Sequence, residues 1–182
     1  MRLVIKPQEN RFNLIVEAEA YRQIWKQHAR KLRKAFREIS GLDFNQAVIT
    51  AHVYDGQRSL SGYYRHPMRL QADGKSHEDK LLILVHELSH RLLGGNTLAL
   101  NSELNLSNLE LHKRIYLFLY DVVNQALGAE MVKRLAKLEA RPDDPDYYKA
   151  WKWAIAMAFE QRQSKMKQLA KQAKPYRNIV VK

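Results

Sequence analysis

Leu81-Leu82-Ile83-Leu84-Val85-His86-Glu87-Leu88-Ser89-His90-Arg91-Leu92-Leu93-Gly94-Gly95 sets a His-Glu-x-x-His motif inside an apolar run of helical character. On an α-helix His86 and His90 lie one turn apart and leave the same face, so both imidazoles can reach one metal ion, with Glu87 beside them. Two neutral imidazoles leave a zinc ion its full charge to acidify water. The adjacent carboxylate can take that water's proton as it attacks a carbonyl. The bland alternative is a pair of core histidines satisfied by hydrogen bonds.

The flanks support a helix from about Ser76 to Leu93. Ser76-His77-Glu78-Asp79 reads as a capping box with Asp79 in the acidic position, and Gly94-Gly95 reads as the stop. Leu82, Val85, His86, Ser89, His90 and Leu93 share one stripe, which turns the histidines towards the interior.

Working towards the N-terminus, Tyr63 to Ala72 looks extended, and Pro67 favours an edge position because it lacks a backbone donor. An edge strand just before the motif helix could receive an extended peptide on its free side, near residues 63–72. Phe44 to Tyr54 reads as another strand, closed by Asp55-Gly56. Glu19 to Ile39 is a long amphipathic helix, ended by Gly41, with His28 on its apolar side as a packing residue. Residues 2–6 and 12–17 carry short β-type patterns around Pro7 and Asn10, which suggests a strand pair or a strand leading into a helix.

Beyond Gly95 a polar loop precedes a second helix, capped by Ser107 or Asn108 and running to about Leu127. A short helix over Glu130 to Leu138 follows, then the breaker Arg141 to Pro145, then a last helix from about Asp146. That helix shows Tyr147, Ala150, Trp151, Ala154, Ile155, Ala158 and Phe159 on one face. Ile179-Val180-Val181 can add a strand or stay disordered.

A catalytic zinc takes three protein ligands and keeps one position open. His112 falls on the apolar face of the second helix, with Ile115, Tyr116, Leu119, Val122 and Val123. Glu110 groups with Lys113, Arg114 and Asp121 on its polar side. His112 is therefore the favoured third ligand and Glu110 the alternative, while Asp121 is expected at the surface. Tyr64, His66, Tyr116 and Tyr120 are candidate donors to the oxyanion or the substrate.

Composition sets the remaining bounds. The chain has 182 residues, 46% of them hydrophobic, enough for one domain: an α/β part over 1–93 ending in the motif helix, and a helical part with a basic tail over 94–182. There are no cysteines, so any metal must be held by His, Asp or Glu. No apolar run approaches the length of a bilayer span, and a soluble, cytoplasmic protein that does not enter membranes is expected. The net charge of +12 is concentrated in a stripe of Lys26, Arg30, Arg33, Lys34 and Arg37 and in a C-terminal cluster from Arg162 to Lys182. It admits nucleic acid or an acidic partner, although no nucleic-acid-binding motif accompanies it and a solvated helix face is the favoured reading of each cluster.

The motif with its edge strand and following helix resembles the zincin superfamily of zinc metallopeptidases, over roughly residues 44–127. The resemblance implies an α+β fold with a small mixed or antiparallel sheet, its edge strand packed on the motif helix, and a mainly helical C-terminal half. It implies Zn²⁺ bound by His86 and His90, and Glu87 as general base and proton shuttle. The position of Glu110 is similar to the third ligand of thermolysin-like gluzincins, but Leu109 and Arg114 depart from their Asn-Glu-x-x-Ser-Asp pattern. The third histidine of the metzincin extension is lacking in Arg91 to Asn96. Two competitors to a metallopeptidase remain: a protease tethered to nucleic acid by its basic helices, and a catalytically silent interaction module on the same scaffold.

Overall fold

A computed structural model describes residues 1–62, 66–72, 74–99, 106–140 and 144–175. The expected terminal strand at 179–181 and the candidate donor Tyr64 lie outside these residues. Strand β1 (Arg2–Pro7) leads into helix α1 (Phe12–Ser40), followed by β2 (Val48–Tyr54), β3 (Met68–Gln71) and α2 (His77–Gly95). Among the described residues the elements that follow are helices: α3 (Asn108–Leu127), α4 (Ala129–Glu139), α5 (Pro145–Ile155) and α6 (Phe159–Ala170).

The sheet has the order β1-β2-β3 and is parallel throughout, with Ile5 opposite Ala51 and Val53 opposite Leu70. This corrects the mixed or antiparallel sheet that the resemblance implies, and for the pairing of β1 with β2 the reason lies in residues 12–17. Of the two expected readings, a strand pair and a strand leading into a helix, the second holds for β1 and residues 12–17. Residues 12–17 are the first turns of α1, because Leu14, Ala18 and Tyr21 continue a helical period into the core and outweigh the local β propensity. Phe12 is left 83% exposed and Val16 49%. With α1 as the connection, β1-α1-β2 is a crossover unit, the long connection that parallel neighbours require. The helix ends at Gly41, whose φ of 69° is left-handed and whose N–H bonds Arg37 O at 2.9 Å.

β3 is an edge strand, but its outer side is covered over Arg69 to Gln71. Leu60 pairs antiparallel with Arg69 through two 2.8 Å backbone bonds, and Gln71 N–H donates to Ser59 Oγ at 3.1 Å. The edge expected to receive peptide near 63–72 is thus occupied at these positions by the chain itself.

Helix α3 is the centre of the helical half and packs against every other helix. Ile115, Tyr116, Phe118, Leu119, Val122 and Val123 are fully buried along it, within one hydrophobic cluster reaching from Leu3 to Leu169. Asp121 is buried too, correcting the surface placement. Both its oxygens accept from Arg162 of α6, at 2.8 and 2.9 Å. The same arginine donates to Met157 O, and Gln161 Oε1 accepts from Ala158 N at 3.0 Å. These bonds split the single C-terminal helix expected from the sequence into α5 and α6, at a point where Ala156-Met157-Ala158 contains no breaker residue. No helix of the described residues is long and apolar enough to cross a membrane.

Candidate metal centre

Helix α2 begins as its sequence requires: Ser76 Oγ accepts from Asp79 N at 3.1 Å. The Asp79 carboxylate stays beside the Ser76 hydroxyl but has a stronger partner. It takes Arg134 of α4 at 2.6 and 3.0 Å, and Arg134 also bonds Ser76 Oγ at 2.6 Å. That guanidinium is the main reason the Asp79 carboxyl titrates below its ordinary range. The helix runs through both glycines rather than stopping at them. It ends at Asn96, whose side chain donates to Leu92 O and Asp43 O at 2.8 and 2.9 Å. Both faces of α2 are covered, so even Lys80 is buried, in an ion pair with Glu17.

His86 and His90 meet as their spacing requires, with Nε2 atoms 3.1 Å apart. Two nitrogens each 2.0–2.1 Å from one tetrahedral ion would be about 3.3 Å apart, close to this value. His112 enters from α3, its ring centroid 5.7 Å from that of His86 and 5.2 Å from that of His90. Its Nδ1 donates to Asn108 O at 2.8 Å, which leaves Nε2 as the free lone pair. That Nε2 is buried with no hydrogen-bond partner among the described residues. An orphaned buried acceptor is costly in a packed interior, and a bound cation removes the cost. The ligand atoms of the three histidines lie within 4.8 Å of one another, so the group can hold a metal ion.

Glu110 takes no part in this group. It is exposed on the first turn of α3 and accepts from Lys113 Nζ at 2.7 Å. Burial, followed by the neighbouring His86, depresses the His112 pKa to about 4. His90 is driven well below its ordinary value, first by burial and then by His86 and His112. Both imidazoles are therefore neutral at pH 7, the form in which imidazole ligates a metal.

A carboxylate not singled out in the sequence holds His86 in place. Glu139, in the last turn of α4 and 3% exposed, accepts from His86 Nδ1 at 2.8 Å with one oxygen and from Tyr116 OH at 2.6 Å with the other. Fixing the proton on Nδ1 presents Nε2 to the centre, as an outer-shell carboxylate does for a metal-bound histidine. One signal was available: a glutamate in the last turn opposes the helix dipole, so another interaction must retain it there. Arg134 and Glu139 together clamp α4 along α2.

Glu87 is 7% exposed and lines a cavity of about 500 Å³ with His86, Glu139 and Tyr147. Tyr147, at the start of α5, lays its ring 3.7 Å from that of His112 and 5.9 Å from that of His86. It is held there by Asp144, whose Oδ1 accepts from Tyr147 N at 3.4 Å. Its place on the apolar face of the last helix gave no sign of this position. The expected donors are elsewhere: Tyr116 OH is occupied by Glu139, Tyr120 packs on Arg162 and Trp151, and His66 is exposed, its carbonyl accepting from Arg91. None of these three is among the described residues lining the cavity.

No protein-family model, curated protein or solved structure matches the chain.

Proposed function

We propose that the chain is a zinc-dependent metallopeptidase of zincin type, its metal held by His86, His90 and His112. One observation carries the reading: three histidine ligand atoms converge beside a buried glutamate at the wall of a cavity. The donor set suits zinc, since a catalytic zinc is served by three imidazoles and an open fourth position, and no thiolate is available in this chain. Zinc in such a site acts as a Lewis acid towards a carbonyl and lowers the pKa of water.

The protein's own groups supply the rest. Glu87 takes the proton of the attacking water and delivers it to the departing amine. Glu139 keeps the His86 proton on Nδ1, and Tyr116 keeps Glu139 in its rotamer. Tyr147 replaces the expected tyrosines as the donor nearest the reacting carbonyl, because it alone of the described tyrosines both covers the ligand histidines and lines the cavity. Substrate enters the cavity rather than adding to β3, whose outer side is paired with Ser59 and Leu60.

The test is zinc content of the purified protein under identical metal exposure, for the parent, His112→Ala and Glu110→Ala. One zinc in the parent, lost from His112→Ala and kept in Glu110→Ala, is the expected pattern, accompanied by hydrolysis of an unstructured protein. A parent that takes up no zinc would remove the basis of the proposal.

A further inference from the structure

The cavity beside Glu87 carries charges that proton transfer and metal binding leave unexplained. Arg58 comes from the segment after β2, Lys75 from the turn before α2 and Lys137 from the last turn of α4, and all three line it. They belong to separate segments, so their convergence is not the solvated face of one helix. Three carboxylates also line the wall, and they are differently placed: Glu87 is the buried residue assigned above as the base. Glu139 is held between His86 and Tyr116, while Asp144 caps α5 and sits 4.0 Å from Arg58. Lys75 and Lys137 form no ion pair or hydrogen bond with any described residue. Two ammonium groups with no hydrogen-bonded partner among the described residues, Lys75 acting on Asp79 only at a distance, and a loosely paired guanidinium therefore line a space of about 500 Å³, whose polar wall includes Gln71.

We propose that this cavity selects substrates bearing a carboxylate near the scissile bond, received by Lys75 and Lys137 with Arg58 behind them. The inference rests on the peptidase reading and names its substrate class. An Asp or Glu side chain and a free C-terminal carboxylate offer the same chemistry. Opposite charge raises capture and fixes register, and the lysine stems give hydrophobic cover to the bound chain. A metal held at His86 would add positive charge at the wall of the same cavity and offset the lining carboxylates Glu87, Glu139 and Asp144, leaving Arg58, Lys75 and Lys137 to attract an anion.

The experiment uses zinc-loaded Glu87→Gln, so that binding is read without turnover, and fluorescent peptides differing only in Asp against Asn or Glu against Gln. Amidated and free C-terminal forms separate the two carboxylate sources. The expected result is binding of the acidic peptide about tenfold tighter, shrinking as salt is raised. Lys75→Glu combined with Lys137→Glu should abolish the difference. Lys75→Gln with Lys137→Gln should reduce it, with the melting temperature of each protein confirming the fold. Equal binding of acidic and amide peptides, a preference that survives charge reversal, or no binding of either peptide would overturn the proposal. So would an oligonucleotide that competes as tightly as the acidic peptide, because general charge attraction would then suffice. Cleavage by the parent without acidic preference would sink the subsite and leave the peptidase. Acidic preference in binding, with no cleavage by the zinc-loaded parent, would sink the peptidase and leave the subsite.

Discussion

Glu139→Gln isolates the contribution of the carboxylate behind His86. Glutamine has nearly the same shape and keeps one acceptor oxygen. The substitution therefore removes the negative charge 2.8 Å from His86 Nδ1 without emptying the space that Glu139 fills at 3% exposure. Outer-shell partners of this kind are worth about 10- to 100-fold in metal affinity, or about 1.4 to 2.7 kcal/mol. The upper half of that range is expected here, because the contact is buried and Tyr116 locks the carboxylate from its other side at 2.6 Å. Zinc affinity would be measured by competition with a chromophoric chelator, alongside the melting temperature of the metal-free protein. Tyr116→Phe should weaken zinc by less, since it loosens Glu139 without removing its charge. An unchanged zinc affinity in Glu139→Gln with a lowered metal-free melting temperature would refute the reasoning. Glu139 would then serve only to dock α4 on α2.

Further outcomes are open to direct measurement. Glu87→Gln should keep its zinc while hydrolysis falls about 10²- to 10⁴-fold; retained turnover in a steady-state assay would remove Glu87 as the base. Metal-free protein should lose stability as pH falls from 6.5 towards 4, because His112 accepts a proton in the unfolded chain well before it does so in the fold. The His112 contribution is at most about 3 kcal/mol, and chelator-treated protein unfolded in urea across that range should show a shallower decline in His112→Gln. Arg162→Leu should destabilise by about 3 to 5 kcal/mol by leaving Asp121 buried and unpaired, and Asp121→Leu added to it should recover much of the loss. Equal denaturation midpoints for the single and double variants would count against that account.

The parts of the centre that are legible in the sequence are those fixed by helix geometry. His86 and His90 meet because residues four apart share a face, and Ser76 caps α2 because a serine oxygen reaches the N–H three residues on. His112 follows by the same reasoning, since the apolar period of α3 puts it on the buried side, and its exposed neighbour Glu110 is turned to Lys113. The exclusion of thiolate chemistry needs no structure at all.

Only the tertiary structure decides the rest. The pairing of β1 with β2 depended on whether residues 12–17 pair or coil, and burial of Leu14, Ala18 and Tyr21 settled it against their β propensity. Glu139 lies 53 positions from His86, Arg162 lies 41 from Asp121, and Tyr147 reaches His112 from another helix. Periodicity reports which face of an element is buried; it says nothing about which distant side chain arrives there. A buried carboxylate or arginine is tolerated only where a partner meets it, and that partner is supplied by the packing of the helices.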